Sequence, residues 1–172
     1  VIKWPWLRES FQNQGKPVTS IIAETLPNTI LLATASIVIA MILGVLLGML
    51  SALMPNTILD RLITFVGTMG MSLPSFFSAI LFAWIFGYLL SEYTGLNMTG
   101  SLYEVDDFGE GVHLQLKNLI LPAIVLGIRP LGVIIQLTRG SLLEELGQNY
   151  ITTARAKGFS MPYILRKHAL RN

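Results

Sequence analysis

The residues able to do chemistry are few and sit in unusual places. Arg129 and Gln136 interrupt an otherwise apolar stretch, "LPAIVLGIRPLGVIIQLTRGSLLEE" at 121–145. Arg129 lies ten residues beyond Leu119, about 15 Å along a helix axis. Gln136 follows seven positions later, on roughly the same helical face. A cation at that depth is expensive unless it faces a protein interior or a water-filled cavity. One reading makes Arg129 and Gln136 a polar stripe along a passage, able to attract a carboxylate. The other has Arg129 reach the outer membrane interface, helped by Pro130. A second cluster is "GTMGMSLPSFF" at 67–77. Pro74 cannot donate to the carbonyl of Gly70, so a kink is expected. Ser72 and Ser75 flank it, and such a break serves either as a hinge and pathway lining or as a plain structural kink. Asp106, Asp107, Glu110 and His113 fit no metal-ligand spacing and read as a solvated acidic loop; no metal site is expected. No Gly-rich loop ending in Lys-Ser/Thr occurs, and "GKP" at 15–17 is not one. The energy source is expected on another chain.

The elements that position these residues are membrane spans. The 172 residues are 52% hydrophobic and 13% charged, with mean hydropathy +0.61, whereas soluble domains carry about 25% charged residues. No charge occurs at 26–59 or at 62–91, and each gap exceeds the roughly 20 residues of a spanning helix. The expected spans are 26–53, 63–90 and 119–143, with an outer loop at 91–118, an external or interfacial segment at 1–25 and a cytoplasmic segment at 144–172. Continuous apolar runs without alternation favour helices over barrel strands. Ser36, Ala40, Gly44, Gly48 and Ala52 recur every four residues, a stripe suited to close helix packing, though also ordinary for membrane helices. There is no cysteine. The outer loop holds five acids against Lys117, and the tail holds Arg139, Arg155, Lys157, Arg166, Lys167 and Arg171 against Glu144 and Glu145. Lys and Arg collect on the cytoplasmic side, so the tail is expected inside. Lys3, Arg8 and Lys16 in the segment expected outside pull the other way.

The tail reads as two short helices. Residues 144–157 suit a helix, Gly158 suits the positive-φ position after it, and Ser160 can cap a second helix with Pro162 in its first turn. Its cations could contact nucleic acid or anionic lipid, which would make the chain a membrane-anchored regulator or scaffold. They could instead decorate a docking element for a cytosolic protein.

The tail "NYITTARAKGFSMPYILRKHALRN" at 149–172 resembles the cytoplasmic loop of bacterial ABC-importer permeases of the dipeptide/oligopeptide/nickel branch. "ETLPNTILLA" at 24–33, "MSLPSFF" at 71–77, "LPAIVLG" at 121–127 and "LTRGSLLE" at 137–144 resemble it too. The resemblance implies an all-α, polytopic membrane helix bundle of the type I importer kind, in the bacterial cytoplasmic membrane. It implies coupling helices that enter a cleft on an ATPase, here through Tyr150, Thr153, Ala154, Arg155, Ala156, Lys157 and Gly158. Only the last Ala and the Gly of the wider family's Glu-Ala-Ala…Gly pattern are kept, as Ala154 and Gly158. It also implies partners: a second homologous permease subunit, two ATP-binding subunits that hold ATP and Mg, an extracytoplasmic substrate-binding protein, membrane lipid and a peptide substrate, with no nucleic acid and no cofactor in this chain. Family permeases have one more span before and two after the stretch present here, so the chain is expected to be a fragment.

Overall fold

A computed structural model describes residues 7–105, 112–165 and 167. The acids Asp106, Asp107 and Glu110 and the ending "HALRN" lie outside them. The chain forms α1 (Val18–Leu53), α2 (Ile58–Ser72), α3 (Ser75–Trp84) and a π-helical turn (Ile85–Leu89). After these come α4 (Ser91–Thr94), a hairpin of β1 (Tyr103–Val105) and β2 (Val112–Leu114), α5 (Lys117–Leu146), α6 (Asn149–Ala156) and α7 (Met161–Ile164). The expected helical class is found. The antiparallel hairpin, pairing Tyr103 with Leu114 and carrying His113, adds a small strand element within the outer loop.

Two described helices, α1 and α5, are long and apolar enough to span a membrane; α2 with the α3 segment forms a third candidate, bent by 113°. The kink expected at Pro74 within the span 63–90 is found, and it is a full break between two helices. Pro74 lacks the N–H that would continue the helix, and Leu73 turns extended (φ −73°, ψ 137°). The boundaries also move. α1 starts at Val18 rather than near 26, directly after Pro17. The helix expected at 144–157 is divided, because α5 runs on to Leu146 and α6 begins at Asn149.

Small residues decide how the long helices meet. Ser36, Ala40, Gly44, Gly48 and Ala52 are all buried on α1, as the four-residue stripe predicts. An added Cβ on Gly44 would lie 2.7 Å from Ile134, one on Gly48 2.7 Å from Thr138, and one on Gly127 3.0 Å from the Ser36 carbonyl. Ala52 packs with Leu142. Residues 36, 44, 48 and 52 thus face 127, 134, 138 and 142 in order, so α1 and α5 run parallel. Two parallel helices joined by one chain require the chain to return in between. The bent α2–α3 pair and the outer loop make that return, and the pair acts as a broken span. α2 runs antiparallel to α5: Gly67 meets Gly132 and Gly70 meets Ile128, while Gln136 Nε2 donates to Thr68 Oγ1 at 3.1 Å.

Candidate functional site

A cavity of about 680 Å³ opens where α3, α5 and the outer loop meet. That volume lies within the range of roughly 300–1,000 Å³ typical of small-molecule sites. Ser75 and Ala79 on α3, Pro122 and Arg129 on α5, and Asn97 and Asn118 are among its lining residues. The proline pattern shapes the wall. Pro122 and Pro130 lie inside α5 and carry no N–H, so the carbonyls of Asn118 and Leu126 lose their usual helical donors. Arg129 is exposed to this space and makes no ion pair among the described residues.

Residues 97–100 form one wall of the cavity, and their strap is held to the start of α5. Asn97 Nδ2 donates to Asn118 Oδ1 at 3.1 Å, and Asn118 Nδ2 donates to the Ser101 carbonyl at 2.9 Å. Gly87, within the π-helical turn, lets the backbone of Met98 approach; a Cβ there would sit 2.7 Å from Met98 Cα. Thr94 Oγ1 donates to the Phe86 carbonyl at 2.8 Å, which binds the π turn to α4.

Of the residues expected along a passage, Arg129 and Ser75 line this cavity together. Pro74 forms the break beside Ser75. Ser72 lies one residue before the break, with its hydroxyl bonded to the Thr68 carbonyl at 2.9 Å. Gln136 is not in the cavity; it bonds Thr68 two turns farther along α5. The sequence reading missed Asn97 and Asn118, whose partners are 21 residues apart.

It also missed Asp60. This carboxylate is only 3% exposed, between α1, α2 and α5. Arg139 reaches it with both faces of its fork, Nε to Oδ1 at 2.7 Å and Nη2 to Oδ2 at 2.8 Å. Ser51 Oγ donates to Oδ1 as well, and the Asn56 N–H donates to Oδ2 at 2.9 Å. Local sequence arranges this. Thr57 is the N-cap of α2 and accepts from the Asp60 N–H at 3.3 Å. Asp60 is three residues on, in the first helical turn, where a carboxylate suits the helix dipole. Asn56 takes φ 65°, a conformation asparagine tolerates better than most residues. Removing one partner of a buried bidentate pair typically costs about 3–5 kcal/mol. Arg139, counted in the sequence as a free tail cation, is therefore an internal partner. A "T-x-x-D" cap signal between two apolar runs was the available clue.

The helix pair α6–α7 closes around Gly158 at φ +81°, as its sequence predicts. The Phe159 N–H donates to the Ala154 carbonyl at 3.3 Å and the Gly158 N–H to the Arg155 carbonyl at 2.9 Å, the two bonds of a Schellman C-terminus. Ser160 occupies the N-cap position of α7, but its side chain makes no capping bond; the proline in the first turn sets the start instead. Ala154 is 7% exposed and packs with Ile151 and Ile164. Its small side chain serves the internal packing of the pair, not an outward surface. Thr153, Arg155, Ala156, Lys157 and Gly158 are exposed. Tyr150 is exposed too, with its hydroxyl bonded to the Glu145 carboxylate. Leu146 packs against this cluster, and Leu165 packs on Ala52 and Leu142, which fixes the pair to the ends of α1 and α5.

These features define a polytopic helical membrane component with a cavity at a broken span and a helix pair at the opposite end. The chain belongs to the family described as binding-protein-dependent transport system inner membrane component, which it matches over residues 44–172. It is 34% identical over 163 residues to the dipeptide transport system permease protein DppB of Lactococcus lactis subsp. cremoris, covering 95% of this chain and 49% of that protein. It is 37% identical to the oligopeptide transport system permease protein AppB of Bacillus subtilis, covering 95% and 50%. Against DppB of Alkalihalophilus pseudofirmus the identity is 35%, covering 92% and 51%. The chain spans about half the length of the curated relatives it matches.

Proposed function

We propose that this chain contributes to the translocation path of an ATP-driven importer of di- or oligopeptides. The observation that carries the reading is Arg129, a cation without an ion-pair partner among the described residues, on the wall of the cavity at the broken span. A fixed cation there would attract the C-terminal carboxylate of a peptide, and a low-dielectric wall strengthens that attraction. The relatives named for dipeptide and oligopeptide transport support the cargo class. In this reading a second permease subunit completes the path, and an extracytoplasmic binding protein delivers the peptide. Two ATP-binding subunits hold ATP and Mg and carry out hydrolysis. They engage the exposed turn at Arg155, Ala156, Lys157 and Gly158 on the cytoplasmic side, with Tyr150 and Thr153 beside it. Closure of the ATPases moves α6–α7, and the spans rock between outward and inward openings. No observation favours the nucleic-acid or lipid-anchored regulator.

The test is uptake by the full-length permease reconstituted with its ATPases and binding protein. Arg129→Ala should lower peptide uptake by about tenfold, the loss of one charge-assisted contact, while ATPase binding persists. Unchanged uptake across several peptides would return Arg129 to the membrane interface and remove the basis of the reading.

A further inference from the structure

The Asp60 cluster lies far from the cavity, and nothing in the proposed path uses it. Its position in the framework is informative. Leu165 of the tail packs on Ala52 and Leu142, and Leu146 packs on Ile151 and Ile164. The ends of α1 and α5 and the α6–α7 pair are thus one packed body. Arg139 belongs to that body, one turn before Leu142 on α5. Asp60 belongs to the first turn of α2. The bidentate contact, at 2.7 and 2.8 Å, fastens the base of α2 to it.

Above this point α2 meets α5 through small residues, Gly67 on Gly132 and Gly70 beside Ile128. Such contacts hold helices close without a directional bond, so they permit small sliding. Among the described residues the one other polar link between α2 and α5 is from Gln136 to Thr68, at 3.1 Å and exposed. α2 itself is a continuous helix of 15 residues, about 22 Å long. At its far end lies the break at Leu73 and Pro74, and Ser75 beyond it lines the cavity with Arg129. A displacement at the base of such a rod is delivered to the break.

We propose that the Asp60–Arg139 pair is the positioning contact through which movement of the α6–α7 body reaches the broken span and the α3 wall of the cavity. This rests on the transport reading above. A planar guanidinium locked to a carboxylate resists both translation and rotation, which a single apolar contact does not. Burial of the Asp60 carboxylate, with the Arg139 side chain 28% exposed, limits screening of the pair by salt.

The experiment uses the full-length permease with its ATPases and binding protein in proteoliposomes, measuring membrane insertion, ATPase retention and peptide imported per ATP hydrolysed. Asp60→Asn and Arg139→Gln should lower the import-to-hydrolysis ratio by about tenfold, within the usual range of coupling between sites, while hydrolysis continues. The decisive variant is the double Asp60→Leu, Arg139→Met. Replacing a buried pair by apolar residues commonly restores stability, so this variant should insert and hold the ATPases yet keep the low ratio. Arg139→Lys, which keeps the charge but not the fork, should fall between. If the double variant imports with the wild-type ratio, or if import and hydrolysis fall in step in every variant that inserts, the pair is only structural. If none of the substituted proteins inserts, including Arg139→Lys, the pair is likewise a folding element and the proposal fails. Failure of the transport reading looks different: the unsubstituted protein itself would import no peptide with ATP.

Discussion

Gly48→Ala tests the contact on which the whole framework depends. A Cβ at Gly48 would stand 2.7 Å from Thr138 Cβ and 2.9 Å from the Ile135 carbonyl oxygen. Neither atom can rotate away, because one is fixed to the backbone and the other is backbone. Ordinary contact begins at 3.4 Å, so α1 and α5 must separate by roughly 0.7 Å, the difference of 3.4 and 2.7. A radial gap of about 0.5–1 Å forfeits a quarter to a half of each dispersion contact nearby, and overpacking of this kind costs about 1–3 kcal/mol. That corresponds to a fall of roughly 5- to 150-fold in the folded-to-unfolded ratio. Gly140, on the same α5 helix, has nothing within 4 Å of its Cβ position. Gly140→Ala gains helix propensity of up to about 1 kcal/mol and loses no contact. The assay is loss of helical circular dichroism as sodium dodecyl sulfate is added to the purified full-length permease in mild detergent. Gly48→Ala should unfold at lower dodecyl sulfate and Gly140→Ala at equal or higher. Equal stability of Gly48→Ala and wild type would refute the parallel packing of α1 on α5, as would equal harm from both substitutions.

Three further predictions concern the ends of the molecule. Gly158→Val forces a β-branched residue to φ +81°, a strain of about 1–3 kcal/mol, and should reduce ATPase pull-down and transport without loss of membrane insertion. Gly158→Asn, which tolerates that region, should retain most of both, and equal behaviour of the two would show that the turn geometry is irrelevant. Asn118→Leu removes the bonds to Asn97 and Ser101 and should raise amide hydrogen exchange across 97–101; unchanged exchange would mean the strap is held elsewhere. Single cysteines at Thr99 and Ser160 in intact cells, with an impermeant thiol reagent, should label at Thr99 and not at Ser160, and the reverse pattern would invert the proposed orientation.

What the sequence made legible follows from the range of the interactions involved. The spans are written in composition. The small-residue stripe of α1 is written in a four-residue period, and the turn at Gly158 in one residue's conformational freedom. Each is local, so each could be read without knowing the fold. The severity of the break at Pro74 was not readable, because a proline specifies the missing bond and not the angle the neighbours then impose. The Asp60–Arg139 pair was invisible for a different reason. Its partners are 79 residues apart, and each alone looks like an ordinary charge at a helix end. A separation of 21 residues likewise hid Asn97 and Asn118. Ala154 shows the converse error. A small residue in a family-like motif suggested an outward contact, whereas its spacing from Ile151 is the spacing of a buried face.

The buried pair also bears on the orientation of the chain. The charge count that puts the tail inside included Arg139, which the fold neutralises with Asp60. Removing it leaves Arg155, Lys157, Arg166, Lys167 and Arg171 against Glu144 and Glu145, five cations less two acids, a net of three. The asymmetry with the acidic outer loop survives. The correction even strengthens it at the other turn on that side. The first turn of α2, just after the α1–α2 connection, carries Asp60 and Arg61, which cancel in a simple count. With Asp60 occupied by Arg139, Arg61 remains an exposed cation at the end of the bundle that holds α6 and α7. Both turns at that end are then net positive. The parallel course of α1 and α5 puts these two turns on one side of the membrane, so the positive-inside tendency acts on them together. Lys16 on the opposite side is paired with Glu24 at 3.9 Å, a weak surface contact that nonetheless offsets part of the opposing charge. The charges that the fold leaves uncompensated therefore keep the raw net of four on that side, three at the tail plus one at Arg61, and agree with the proposed orientation.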